Sequence, residues 1–202
     1  MRGAVLAGGG ATRYGGKPKG LERVGGERIL DRLVAALSAA IGDAPLLVAN
    51  ARDAADWAPG LRAVADARPD CGSLGGIYSA LTAGEGPVLV VAWDMPFVTV
   101  ELLEALVAGA AGWDVFLPES GGRRGVEPFC GVYGPACVDP VVRQLDDEDY
   151  RAIGFHDSVR VGHLPLDVVS RFGDPTTLFF NVNTPDDLAR AEELWRKHAS
   201  SR

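Results

Sequence analysis

The chain has 202 residues, of which 47% are hydrophobic and 23% charged, a composition typical of a globular domain and not of a disordered or fibrous chain. Its formal net charge of −7 argues against a nucleic-acid backbone as the main partner, because such binding needs a basic face. No apolar run approaches the roughly 20 residues of a membrane-spanning helix. We therefore expect a cytoplasmic protein. The three cysteines cannot all pair and form no C-x-x-C unit, and reduced thiols fit that compartment.

The first predicted unit is a strand, a loop and a helix. Residues 4–7 form a short apolar run that stops at glycine, which predicts a buried strand leading into a glycine-rich loop. Beyond Glu27, apolar side chains recur at helical spacing and predict a helix that packs back over the strand: Ile29, Leu30, Leu33, Val34 and Leu37. From Arg13 to Arg28 five cations outnumber two anions, so this part of an acidic chain suits a phosphorylated ligand.

The alternation of strands and helices continues towards the middle of the chain. Three further apolar runs predict strands that lead to polar residues: residues 46–49 to Asn50, residues 61–65 to Asp66, and residues 88–92 to Asp94. Helices are predicted at residues 77–81, opened by the glycines of GSLGG, and after Thr99 as an N-cap. The pattern predicts a three-layer α/β/α, Rossmann-like fold with a mostly parallel central sheet, in which ligands bind beyond the carboxyl ends of the strands.

The second half of the chain is less regular. Between about residues 121 and 173 only a strand near residues 129–133 can be placed. The acidic run at residues 146–149 is interpreted as the solvated start of a helix rather than a metal site. Thr184 as N-cap, followed by proline and two aspartates, predicts a final helix. Because the chain shows neither an internal repeat nor a linker-like segment, we expect one domain over residues 1–202.

Spacing distinguishes three interpretations of the loop LAGGGATRYGGKPKG. A P-loop, G-x-x-x-x-G-K-[ST], is excluded because Ala11 and Pro18 stand where its first glycine and its hydroxyl belong. A dinucleotide fingerprint begun at Gly8 is excluded because its last glycine would fall on Arg13. The remaining pattern is typical of a triphosphate-binding loop, in which glycines let backbone amides approach phosphates and cations neutralise them: Gly8, Gly9, Arg13 and Lys19.

Asp94 is the candidate magnesium ligand. It follows a buried strand and precedes Met95 and Pro96, which places its carboxylate at the carboxyl edge of the sheet. Magnesium on a nucleotide usually takes one or two carboxylates together with phosphate oxygens and water. An alternative is that Asp94 only caps the following turn. Asp66 is the nearest candidate for a second carboxylate.

Five segments, in this order, resemble the successive motifs of molybdenum cofactor guanylyltransferases: LAGGGATRYGGKPKGL, CGSLGGIYSAL, AWDMPFV, EPFCGVY and FFNVNTPDDL. The resemblance covers nearly the whole chain and implies the nucleotidyltransferase form of the fold. It implies a Mg²⁺-dependent transfer of GMP from GTP to the terminal phosphate of molybdopterin, with residues 1–110 binding the nucleotide and residues 111–202 the acceptor. The partners would be these small molecules and, transiently, proteins that supply or receive the cofactor.

The same resemblance implies roles for individual residues. The catalytic set would be Arg13, Lys19 and Asp94. The nucleotide would be bound by backbone groups and by two polar side chains at strand ends: Leu6, Ala7, Gly8, Gly9, Asn50 and Asp66. The acceptor pocket would be built from two further groups: Arg123, Arg124, Glu127, Pro128 and Tyr133, and, on an apparent strand across the cleft, Asn181 and Asn183. Asn50 could equally be a plain loop residue, and Arg123 and Arg124 a solvated hairpin.

The chain departs from the family pattern within the loop. Pro18 stands where the family usually has Asp, Tyr14 where it usually has Met, and Lys17 adds a cation that could compete with Lys19. Register favours Lys19 as the phosphate lysine.

Two alternative functions remain open from the sequence. One is a related nucleotidyltransferase that uses CTP or a sugar 1-phosphate, because the loop recognises a triphosphate and not a base. The other is a binding protein for GTP or the cofactor without turnover, which the change at Pro18 permits.

Overall fold

The computed structural model describes residues 1–8 and 18–199. Its strands are β1 (Arg2–Leu6), β2 (Arg23–Val24), β3 (Glu27–Arg28), β4 (Leu46–Val48), β5 (Ala63–Val64), β6 (Val88–Ala92), β7 (Val115–Pro118), β8 (Cys130–Tyr133) and β9 (Val161–Leu164). Its α-helices are α1 (Ile29–Ile41), α2 (Ala54–Trp57), α3 (Gly72–Thr82), α4 (Val100–Gly109), α5 (Val138–Asp146), α6 (Leu166–Val169), α7 (Pro175–Leu178) and α8 (Pro185–Ala199). Across these described ranges, no helix is both long enough and apolar enough to cross a membrane.

Seven strands form the main sheet, in the order β5-β4-β1-β6-β8-β7-β9, and β2 pairs with β3 in a separate hairpin. Neighbours in the main sheet run parallel except where β8 pairs with β6 and with β7. The predicted mostly parallel sheet is therefore confirmed. Because β8 runs against the others, its first residue, Cys130, pairs with Val91 near the end of β6. The residues that precede β8 thus lie at the carboxyl edge of the parallel strands.

Helices cover both faces of the sheet, which confirms the predicted three layers. Alternate residues of the central strands point to opposite faces, as the pleat requires. Val5 and Leu89 pack in one cluster with α1, α4 and α8, whereas Ala4 and Val90 pack in the other with α3 and α5. These strands are apolar on both faces because both faces are covered.

Two predicted helix caps are confirmed. The Thr99 hydroxyl accepts a hydrogen bond from the Leu102 amide at 3.3 Å and starts α4. At α8 the Thr184 hydroxyl accepts from the Asp187 amide at 3.1 Å, while the Asp187 carboxylate accepts from the Thr184 amide at 2.9 Å. Reciprocal bonds of this kind satisfy amides that the first turn of a helix leaves unpaired.

Three sequence predictions need correction. Helix α3 begins at Gly72, inside the GSLGG segment, and not at residue 77. The acidic run at residues 146–149 begins at the last residue of α5 instead of starting a helix, because the apolar face that holds α5 on the sheet, including Val141 and Leu145, precedes it. Strand β7 at residues 115–118 was not predicted, because four buried residues carry no alternating pattern.

Candidate active site

A cleft of about 900 Å³ lies at the carboxyl edge of the sheet. Its lining includes residues that follow four parallel strands and one that precedes β8, in the order of the strands: Asp66 after β5, Asn50 after β4, Gly8 after β1, Asp94 after β6, and Glu127 before β8. Asn181 and Asn183, which precede α8, also line the cleft. The crevice therefore lies where open α/β sheets bind their ligands.

Lys19 stands at the centre of this cleft between two oxygen atoms. Its Nζ donates to Asp94 Oδ2 at 3.0 Å and to Asn183 Oδ1 at 2.8 Å. Lys19 and Asp94 are buried, with 8% and 9% of their surfaces exposed. Charges so far removed from water persist only when paired and hydrogen-bonded. The contact joins a loop, a strand end and a C-terminal segment 164 residues away from the lysine.

A close backbone contact sets the position of Lys19. Gly20 packs on the indole of Trp93 so tightly that a Cβ at this position would lie 2.5 Å from Trp93 Cε3. Trp93 in turn stacks on Trp57, with ring centroids 5.2 Å apart. Since Gly20 follows Lys19 and Trp93 precedes Asp94, the packed pair aligns the charged pair.

Part of the predicted loop lies outside the described residues. Gly9, Arg13 and Lys17 fall there, whereas Gly8 and Lys19 line the cleft. Leu6 and Ala7 also line it, but their backbones continue the sheet, since the Ala7 amide donates to Val48 O at 2.8 Å and Leu6 O accepts from the Trp93 amide at 3.2 Å. The chain leaves the sheet at Gly8, where a Cβ would meet no atom within 4 Å.

Asn50 and Asp66 bind each other at the β4–β5 end of the cleft. Asn50 Nδ2 donates to Asp66 Oδ2 at 2.6 Å, and the Asp66 amide donates to Asn50 Oδ1 at 2.7 Å. The two residues therefore form one polar unit. The sequence predicted both, but it gave no reason to expect this pairing.

Ser79 supports this unit from α3, and sequence reasoning missed it. Its hydroxyl lies 3.5 Å from Asp66 Oδ1, accepts from the Ala67 amide at 2.9 Å and donates to Gly75 O at 2.7 Å. Only 3% of Ser79 is exposed. A single serine in an apolar helix carries no pattern that distinguishes it from a surface residue.

On the β8 side, Glu127 and Arg124 line the cleft. Glu127 is half-buried, and its Oε1 accepts from the Phe129 amide at 3.1 Å. Burial raises the pKa of Glu127 and the Asp94 charge adds to this rise, against the opposing effects of the Phe129 amide and of Arg124. Arg123 is exposed and does not line the cleft; it lies with Arg124 in a tight turn, closed by a bond of 2.8 Å from the Ser120 amide to Gly125 O.

Tyr133 does not occupy the predicted position. It is fully buried beneath α3 and α5, and its hydroxyl donates to Pro128 O at 2.6 Å. Burial also raises the pKa of this phenol. Because Tyr133 does not line the cleft, the expectation that it contacts the acceptor is corrected: it holds the turn before β8 in place.

Asn181 and Asn183 line the cleft as expected, but they do not lie on a strand. The Val182 amide between them donates to Asp94 O at 2.8 Å, so this segment attaches to the end of β6 and not to a sheet ladder. Asn181 Nδ2 donates to Phe179 O at 2.9 Å, which shapes the turn.

The magnesium ion that the resemblance implies fits these residues only if it enters bound to the nucleotide phosphates. The described ranges hold no cluster of three or more histidine, cysteine, aspartate or glutamate side chains, so they build no closed metal cage. A metal carried on nucleotide phosphates needs only one or two protein oxygens. Asp94 meets that need, because its Oδ1 accepts no hydrogen bond from a described residue. Asn183 Oδ1 lies beside the same lysine.

Comparison with known proteins agrees with this architecture. Residues 3–160 match the family model of the MobA-like NTP transferase domain. The molybdenum cofactor guanylyltransferase of Nitrobacter hamburgensis is 34% identical, over 96% of this chain and 93% of that protein. Its counterpart in Cereibacter sphaeroides is 32% identical over 98% of each chain. The crystal structure of molybdopterin-guanine dinucleotide biosynthesis protein A from Archaeoglobus fulgidus superposes with a TM-score of 0.80 at 29% identity, covering 98% of this chain and 100% of that one. The chain therefore belongs to the MobA-like NTP transferase family, alongside the molybdenum cofactor guanylyltransferases.

Proposed function

We propose that this protein transfers GMP from GTP to the terminal phosphate of molybdopterin and releases pyrophosphate. The observation that carries the proposal is Lys19, held between Asp94 and Asn183 in the middle of one continuous cleft. A buried cation so placed suits a phosphate chain that must meet a second phosphate. The names of the relatives, molybdenum cofactor guanylyltransferases, support this choice of donor and acceptor.

The cleft divides between the two substrates. In our assignment residues 1–110 hold the nucleotide, with Asn50 and Asp66 at the base and ribose and with Gly8 and Lys19 at the phosphates. Residues 111–202 hold the acceptor, with Glu127 and Arg124 on one side and the C-terminal asparagines on the other. This order follows the strand order of the sheet.

The acceptor phosphate needs little help to become a nucleophile. A phosphate monoester has its second pKa near about 6, so it is largely ionised at neutral pH. No histidine lies among the described residues that line the cleft, and the proposed chemistry requires none. An oxygen of the acceptor phosphate forms a bond to the α-phosphorus of GTP, while the bond from that phosphorus to the bridging oxygen breaks. Pyrophosphate leaves with the electron pair.

The protein is left with two tasks, which are to bring two anions together and to stabilise charge on the leaving group. Lys19 supplies fixed positive charge at the centre of the cleft, and its two oxygen partners keep the ammonium aimed there. Arg13 is expected to add a second cation. Mg²⁺, when bound through Asp94, would supply further positive charge to the phosphate oxygens.

Pyrophosphate release from the full chain with molybdopterin, magnesium and each of GTP, CTP, ATP and UTP tests this proposal. We expect release with GTP, and loss of that activity by orders of magnitude in Asp94→Ala with little change in Tm. Asp167→Ala, which removes an exposed carboxylate on α6, serves as the control. Pyrophosphate release with CTP alone would show that the protein uses cytosine and not guanine nucleotides. GTP binding without any pyrophosphate release would identify a binding protein. Near-normal turnover of Asp94→Ala would reject the metal role.

A further inference from the structure

Glu127 is the one acidic side chain from the second half of the described chain that lines the cleft. Its Oε1 already accepts a hydrogen bond from the Phe129 amide. Its Oε2 accepts none from any residue in the part of the chain that the structure describes. A half-buried carboxylate therefore offers a free acceptor to whatever enters this side of the cleft.

The strand order places Glu127 and Asp66 at opposite ends of the same edge. Adjacent strands lie about 4.8 Å apart, so the four steps from β5 to β8 span roughly 19 Å. Lys19 and Asp94 lie between these ends. The cleft thus has a carboxylate at each end and a cation in the middle.

A carboxylate in an anion-binding cleft needs a particular kind of ligand. Phosphate oxygens would be repelled by it, and Asp94 already adds negative charge nearby. A neutral group that presents two N–H donors side by side satisfies it instead, since a carboxylate can accept both. Guanine has such an edge, formed by its ring N–H and exocyclic amino group. The pterin ring has the same edge.

We propose that Glu127 recognises the pterin ring of the acceptor, its carboxylate accepting hydrogen bonds from the ring N3–H and the 2-amino group. The acceptor's identity rests on the proposed function above. Arg124 lines the same end of the cleft, and its positive charge favours the ionised carboxylate. The N–H edges of guanine and of the pterin then point to the two opposite ends of the cleft, and the phosphates of the two substrates meet at Lys19. Glu127 acts in specificity and takes no part in bond making.

A paired change of ligand and residue tests this assignment on the full chain. The probes are 6-hydroxymethylpterin monophosphate and its lumazine counterpart, in which an oxygen replaces the 2-amino group. Their Kd values are measured by calorimetry in the presence of a non-hydrolysable GTP analogue. The parent protein should prefer the pterin by about tenfold or more, because lumazine turns an oxygen towards the carboxylate. Glu127→Gln should lose or invert this preference, because its carboxamide can donate to that oxygen.

Glu119→Gln is the matched control. Glu119 lies across the short bridge from Val126 and does not line the cleft. Among the described residues its side chain accepts only from the Leu166 amide, which a carboxamide oxygen can also do. It should keep the parental preference and should bind the GTP analogue as the parent does.

The outcomes separate this inference from the proposed function. Equal binding of the two pteridines by the parent, or an unchanged preference in Glu127→Gln, would overturn the role of Glu127 even if GMP transfer to molybdopterin is observed. Parental protein that binds the GTP analogue but neither pteridine would overturn both the acceptor assignment and this inference.

Discussion

At the scale of single residues, the cleft depends on side chains whose polar atoms are held by partners far away in sequence. Lys19 bonds to Asp94 and Asn183, and Asp66 bonds to Asn50 and lies beside Ser79. Groups fixed in this way lose little orientation freedom when a substrate binds, which is the condition for electrostatic catalysis. Because each side chain has its own partners, mutation of one residue at a time can test the role of each.

Lys19→Ala should lower kcat/KM for GMP transfer by about 100- to 1000-fold, because it removes charge that stabilises the leaving group. Lys19→Arg should recover only part of the lost activity, since a planar guanidinium cannot take the place of a compact ammonium between the same partners. Arg171→Ala, on the exposed surface beyond α6, is the control and should transfer GMP at the parental rate. A Lys19→Ala variant within tenfold of the parent would contradict the role of this cation.

Ser79→Ala should raise the KM for GTP more than it lowers kcat, because the hydroxyl holds the Ala67 amide next to Asp66 and touches no reacting atom. Thr82→Ala is a matched control: its hydroxyl makes the same kind of bond within α3, to Tyr78 O at 2.9 Å, but faces solvent and lies away from Asp66. Steady-state kinetics on both variants, with Tm measured alongside, distinguish positioning from stability. Equal effects of the two substitutions on KM would argue against a positioning role.

Glu127→Gln should also change how stability depends on pH. Burial raises the pKa of Glu127, although Arg124 opposes this rise, so the native state binds the proton more tightly than the unfolded chain. The stability that Glu127 contributes is therefore greatest at low pH and falls as the pH rises through the native pKa. The Tm of Glu127→Gln relative to the parent should increase from about pH 4 to about pH 7. A difference that stays constant or shrinks over this range would be inconsistent with a half-buried carboxylate whose pKa is raised.

At the scale of elements, helix α3 connects the cleft with the opposite edge of the sheet. Its N-terminal residues face the cleft, and its C-terminal carbonyls accept from Arg2 on β1: Ala80 O at 2.9 Å and Leu81 O at 3.1 Å, with Glu85 O and Gly86 O just beyond. A cation at a helix C-terminus also interacts favourably with the partial negative charge of the helix dipole there. Movement of α3 would displace Ser79 and, with it, Asp66.

Arg2→Met should lower the free energy of unfolding by about 2 kcal/mol, because four carbonyls lose a charged donor. Arg62→Met should cost less than half as much, because among the described residues the Arg62 guanidinium donates only to Ala83 O at the same helix end. Urea denaturation of both variants measures the difference. Equal losses would show that the number of carbonyl bonds does not determine how firmly α3 is held.

Elements with strong local patterns could be predicted from the sequence, and others could not. The apolar run of β6 and the caps Thr99 and Thr184 lie where expected, because burial on both faces and capping are local rules. Ser79 could not be predicted, since the Ala67 amide that it holds beside Asp66 belongs to a different element. Residues 180–183 resemble a strand in composition, but the segment attaches to Asp94, a choice that only tertiary structure makes.

At the scale of the whole molecule, the strand order brings the two halves of the chain to one edge. Strand order is not visible in a sequence, and neither is the antiparallel course of β8 that carries Glu127 to the end of β6. This explains why Glu127 could be grouped with Tyr133 from sequence although only the former lines the cleft. It also explains how Lys19 and Asn183 come within 2.8 Å of each other.

In the proposed reaction the α-phosphate of GTP, with its nucleoside, passes to molybdopterin. A transfer assay with the full chain, molybdopterin, magnesium and GTP carrying a radiolabel in either the α- or the γ-phosphate measures this directly. We predict that the α-label appears in a dinucleotide product and the γ-label in pyrophosphate, in equal amounts. Release of the γ-label as inorganic phosphate, or an α-label that stays entirely in free guanine nucleotides, would contradict the claim.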